Sequence, residues 1–151
     1  MKIHFSKKEY RLLLDMLGVA DWIMNSHIVP PDEGHKAHDE LKSKLMSHYK
    51  EMGAEDIIEH DEQLNGYYEL NAYEEYLHDK FIDPYDDETF WEELIDRLSE
   101  RDLVSKIGEE ALCNMDAMKR MKHLGEISDF YAQEFEEHGL SHLHIKKMLK
   151  Q

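Results

Sequence analysis

The sequence predicts a mainly α fold: one helical domain over residues 1–151, of about five to seven helices, with a small β-ribbon formed by the N- and C-terminal segments. Three observations lead there. The chain has three prolines and seven glycines against abundant Leu, Glu, Lys and Met, a composition that favours helix. Apolar residues recur at helical spacing through most of the length. Both ends instead alternate polar and apolar residues, as short half-buried strands do.

Lys2-Ile3-His4-Phe5 is the first alternating stretch, and Ser141 to Lys146 is the second. A lone strand has nothing to pair with, so the two are expected to pair with each other, or with a second subunit. Ser6-Lys7-Lys8-Glu9 matches a capping box, in which the serine hydroxyl and the glutamate each satisfy an orphan backbone donor. A helix should start there and run to about Ile28, before Pro30-Pro31 stop it. Its apolar residues, from Leu12 to Met24, cover more than half the circumference and leave Arg11, Asp15, Gly18 and Asn25 as a narrow polar stripe. That pattern suits a central helix with neighbours on two sides.

A second helix is expected from about Asp32 to Met52, ended by Gly53 in a left-handed conformation, with Ala37, Leu41, Leu45, Tyr49 and Met52 inward. Ala54 to Leu64 carries both a helical spacing and, at Asn65-Gly66, a hairpin signal. The short helix is preferred, because Glu59-His60-Asp61-Glu62-Gln63 are poor strand formers. Asn71 begins a further helix with Tyr73, Tyr76, Leu77 and Phe81 inward, and Asp83-Pro84-Tyr85-Asp86 reads as a turn. Asp86 or Asp87 caps the next helix, whose inner face is Phe90, Trp91, Leu94, Ile95 and Leu98. Its phase falters at Arg101-Asp102, so a kink or a fresh short helix is expected there. After Asn114 a long helix carries Met118, Met121, Leu124, Tyr131, Ala132 and Phe135 on one side and ends at Gly139. Nothing rich in Pro, Gly or Ser marks a domain boundary.

The net charge of −16 is concentrated in the middle third, where residues 51–102 hold nineteen acidic and three basic side chains. Such a segment repels phosphate backbones, which argues against direct nucleic-acid binding. It suits a solvated acidic face, a docking surface for a basic protein partner, or mimicry of nucleic-acid charge. A single cysteine, Cys113, excludes an intramolecular disulfide and is expected in the core beside Leu112. With no apolar leader or membrane-length run, a cytoplasmic protein without a membrane partner is expected. The broad apolar circumference of the first helix and the methionines of the last are compatible with a homodimer.

No Gly-rich phosphate loop, nucleophile elbow or Cys-x-x-Cys pair occurs, and no catalytic residue is nominated. Helical projection turns His38 and His48 inward on the second helix, with His35 at the edge, and turns His27 inward on the first, near Asp21. Imidazoles and a carboxylate between two helices are materials for a zinc or iron site. Asp21, His27 and one of His38 and His48 therefore form the candidate metal set, since two histidines ten residues apart on one helix lie about 15 Å apart. Packing is the ordinary role of an inward histidine, so no cofactor is expected and a transition metal is the runner-up. His4, His142 and His144 would share a ribbon face, but Lys2 and Lys146 beside them disfavour a cation. Trp22, Tyr67 and Tyr68 are candidate aromatic anchors for a protein partner. The preferred function is a non-catalytic interaction or regulatory module, with a helical metal protein as the alternative.

Overall fold

A computed structural model describes residues 2–27 and 33–144. The chain forms two compact units, Met1–Tyr85 and Asp86–Gln151. The boundary falls inside a helix, which is why no linker composition announces it. The expected breaks around Ile28 and Pro30-Pro31, the start of the second helix at Asp32, and Ile145 and Lys146 of the terminal ribbon lie outside the described residues.

The first unit opens with α1 (Lys7–Asn25), and the capping box forms as its sequence requires: Ser6 Oγ accepts from the Glu9 N–H and Glu9 accepts from the Ser6 N–H at 2.8 Å. Only Tyr10, Leu14 and Gly18 of α1 are buried. Met16 and Ile23 are 70% and 61% exposed, so within this unit α1 is covered along one narrow stripe rather than most of its circumference. Gly18, expected on the polar side, belongs to that stripe because a Cβ there would stand 2.5 Å from Leu77 Cδ1.

A 3₁₀ turn at Glu33–His35 leads into α2 (Lys36–Met46), and a separate single turn, α3 (Tyr49–Met52), ends at Gly53 with φ +66°. The expected continuous helix is therefore interrupted at Ser47-His48. Leu45 and Tyr49 are inward as projected, and Met52 packs against the core, but on α2 Lys42 and Met46 take the inward places projected for Ala37 and Leu41. The face is turned by up to one residue, about 100°, and Leu41 is 53% exposed.

Residues 54–69 correct the preferred short helix: β1 (Ile58–Asp61) and β2 (Gly66–Glu69) form an antiparallel hairpin with Ile58 opposite Glu69 and His60 opposite Tyr67. Packing outweighs the poor strand propensity of β1. Ile58 is 1% exposed, and Tyr67 lies over His60 and edge-on to Tyr49 at ring separations of 4.7 and 6.0 Å. Asp61 accepts the N–H groups of Gln63 and Leu64, and Asn65 takes a left-handed φ of 49° to close the loop. This is the described ribbon. Lys2–Phe5 and Ser141–His144 carry no strand, so the β component is present but made locally instead of by the two ends.

The unit closes with α4 (Asn71–Leu77) and a π turn at His78–Ile82 that runs directly into α5 (Asp83–Ile107). The turn expected at Asp83-Pro84 is helical. The Asp83 N–H reaches back five residues to the His78 carbonyl. This widening gives the Pro84 ring room at the carbonyl it would otherwise meet. α1 packs on α2 and α4, and α2 packs on β2, around a core of Tyr10, Leu14, Met46, Tyr49, Ala54, Ile58, Tyr73, Leu77 and Ile82. The two core phenols are satisfied: Tyr10 donates to the Leu45 carbonyl at 2.8 Å and Tyr73 to Asp15 at 2.7 Å.

The second unit comprises the rest of α5, α6 (Glu109–Cys113) and α7 (Ala117–His138), the last capped by Asp116 accepting from Met118 and Lys119. α5 has no break at Arg101-Asp102. Its inward row continues through Ser99 and Asp102, whose polarity hid the period from the sequence. Asp102 is held there by the Tyr131 hydroxyl at 2.5 Å. Gly108, with φ +87°, separates α5 from α6. α6 turns Leu112 inward and Cys113 outward, which corrects the expected core cysteine: one residue on a helix is about 100° of rotation. On α7 Phe135 is buried against Trp91 and Tyr131, while Met118 and Met121 are 74% and 68% exposed.

Ser99 is fully buried and its hydroxyl has no hydrogen-bond partner among the described residues. Ser99→Ala removes that orphan and improves helix propensity, so it is expected to stabilise the protein by about 1 kcal/mol in urea denaturation. A destabilised Ser99→Ala would show that the hydroxyl is satisfied in solution.

Candidate functional site: an acidic cleft beside Trp22

The first unit carries an open cleft of about 630 Å³ lined by Gly18, Asp21, Trp22, Lys42, Glu69, Asn71, Glu74, Glu75, Leu77, His78, Asp79 and Ile82. Each wall follows from the fold. α1 supplies Asp21 and Trp22 one turn beyond the buried Gly18. The rotated face of α2 supplies Lys42, and the last residue of the hairpin supplies Glu69. Glu74 and Glu75 project from α4, while His78 and Asp79 sit on the π turn.

Five carboxylates thus meet one ammonium. Lys42 is committed to two of them, with Nζ 2.8 Å from Asp21 Oδ2 and 2.6 Å from Glu69 Oε1, and its side chain is only 16% exposed. Burial pulls this ammonium towards neutrality. The hydrogen bonds and charges of Asp21 and Glu69 outweigh it and hold its pKa above the ordinary lysine value. Asp21 also accepts from Asn25 at 2.8 Å, and Asn25 in turn meets His35 Nδ1 at 3.0 Å. Glu74, Glu75 and Asp79 have no cation partner among the described residues.

Trp22 forms the apolar wall. It is half-buried against the core, and its ring meets His78 edge-on at 6.1 Å and His27 at 6.5 Å. A polarizable aromatic surface beside unpaired carboxylates is chemistry suited to an organic cation.

The four residues considered for a metal do not gather among the described residues. Asp21 is engaged by Lys42 and Asn25. His27 is exposed beside Trp22, His38 is exposed and edge-on to His35 at 6.2 Å, and His48 is exposed 3.4 Å from Glu51. His38 shares a helix face with Lys42 but is exposed because the whole first turn of α2, residues 36–40, is uncovered, and His48 leaves the inward arc because the helix stops before it. Of the aromatic anchors, Trp22 reaches the cleft, Tyr67 is packing beneath the hairpin, and Tyr68 is 43% exposed on the hairpin's other face.

No protein-family model, curated protein or solved structure matches the chain. Among the described residues no helix is long and apolar enough to cross a membrane. Lys42, Glu69, Glu74, Glu75, His78 and Asp79 were not singled out by the sequence. The available signal was the pair Asp21-Trp22 on one helix opposite an acidic segment, but placing Glu69 depends on recognising the hairpin.

Proposed function

We propose that the chain is a cytoplasmic, non-catalytic interaction module whose cleft in the first unit takes a lysine or arginine side chain from a basic partner protein. The observation that carries this reading is Trp22 set beside Glu74, Glu75 and Asp79, carboxylates that no described cation neutralises. A cation over an indole gains about 0.5–1 kcal/mol when exposed and about 2 kcal/mol when desolvated. The acidic field around the cleft adds attraction at a distance and speeds encounter. Lys42 supports binding rather than chemistry, because an ammonium kept protonated between two carboxylates neither attacks a substrate nor accepts a proton.

Calorimetric titration of the intact chain with an arginine-rich peptide is the test. Saturable binding is expected, weaker as salt rises from about 0.05 to 0.3 M, with no heat from a glutamate-rich peptide. Failure of the basic peptide to saturate would refute the reading.

A further inference from the structure

We infer that Glu134, His138 and His142 at the end of α7 form a binding site for a divalent transition-metal ion of the zinc class. The site lies wholly within the second unit and is independent of the acidic cleft.

Glu134 and His138 are four residues apart on α7, so their side chains stand one above the other on the same helix face. His142 is beyond the helix and would ordinarily diverge from it. Gly139 brings it back: its φ of +56° ends α7 in a conformation a side chain would resist. The turn that follows is fixed by the Ser141 N–H and Oγ, which both donate to the His138 carbonyl at 3.2 and 2.7 Å. The outcome is His142 Nδ1 at 2.5 Å from Glu134 Oε1, with the His138 and His142 rings 4.3 Å apart. One ligand atom from each of the three residues lies within 4.8 Å of the others. Tetrahedral zinc with bonds of about 2.0–2.2 Å sets its ligands roughly 3.4 Å apart, so small side-chain rotations close the set on an ion.

The donor types fit that class. Two imidazole nitrogens and one carboxylate oxygen suit zinc and its neighbours better than calcium or magnesium, which prefer oxygen. Three ligands from nine consecutive residues leave coordination positions for water. The ion also displaces any proton shared between His142 and Glu134, so binding releases protons and weakens as pH falls.

Zinc is titrated into the metal-free intact chain at pH 7.5. About one ion per chain is expected, with Glu134→Gln, His138→Asn and His142→Asn each weakening it tenfold or more, the loss typical of disturbed metal sites. In the unaltered chain, one equivalent of zinc should shift the NMR signals of the His138 and His142 imidazoles first. Absence of binding, a loss smaller than tenfold in any of the three variants, or zinc shifting other imidazoles instead would overturn the inference.

Discussion

Lys42→Met is expected to cost the protein about 2–3 kcal/mol. Methionine keeps the apolar stem but strips Asp21 and Glu69 of the ammonium between them, and leaving a buried charge unpaired costs about 3–5 kcal/mol. Asp21, with a side chain 32% exposed, is partly hydrated and Glu69, at 15%, less so, which lowers the figure. Adding Asp21→Asn and Glu69→Gln should return most of the loss, because the penalty lies in the stranded charges rather than in packing. The pH dependence follows from the raised pKa of Lys42. A cation stabilised by folding contributes fully below its unfolded pKa, near 10.5, and loses that contribution as pH rises through the higher folded value. The gap between wild type and Lys42→Met should therefore hold steady through neutral pH and narrow only in strong alkali. Urea denaturation showing a loss under about 0.5 kcal/mol would place this triad with ordinary surface pairs.

Trp22→Leu is expected to weaken binding of an arginine-rich peptide by about two- to fivefold, the equivalent of about 0.5–1 kcal/mol of cation–π attraction in an open cleft. Leucine preserves apolar contact with the core and removes only the aromatic face. The combined change Glu74→Gln, Glu75→Gln, Asp79→Asn should act differently. These side chains are exposed and carry like charges, so neutralising them should leave stability unchanged or slightly raised while flattening the salt dependence of binding. Peptide affinity unchanged in both variants, measured by calorimetry, would move recognition away from this cleft.

Local signals in the sequence were legible wherever one backbone requirement dominated. The Ser6 to Glu9 capping box, the left-handed Gly53 and the terminator Gly139 all appear where their chemistry demands. Long-range packing was not legible. Ile58 enters the core as a strand residue despite its poor strand-forming neighbours, and Tyr67 completes that packing from across the hairpin. Pro84 signals a turn to any local rule, yet a π turn upstream lets the helix pass through it. On α5 the inward Ser99 and Asp102 broke an apolar period that the backbone itself maintains.

The same distinction explains the site. Asp21 and Trp22 were visible because the helix α1 was legible from its capping box, although its inward stripe was not. Lys42 was hidden by a rotation of the inward face of α2, and His38 is exposed because no residue of the first turn of that helix is covered. Glu69 was hidden because its strand was read as loop following a helix. An acidic middle segment was plain from composition, but only the fold separates the carboxylates that bind Lys42 from those left without a cation.

Chemical-shift mapping of the intact, isotope-labelled chain with the arginine-rich peptide tests the central claim most directly. The account predicts that the Trp22 indole N–H and the amides around Asp21, Glu69, Glu74 and Glu75 move together, with the Trp91 indole unmoved. Shifts spread evenly over the acidic residues from 51 to 102, with Trp22 silent, would contradict it and reduce the charge to a solvated surface.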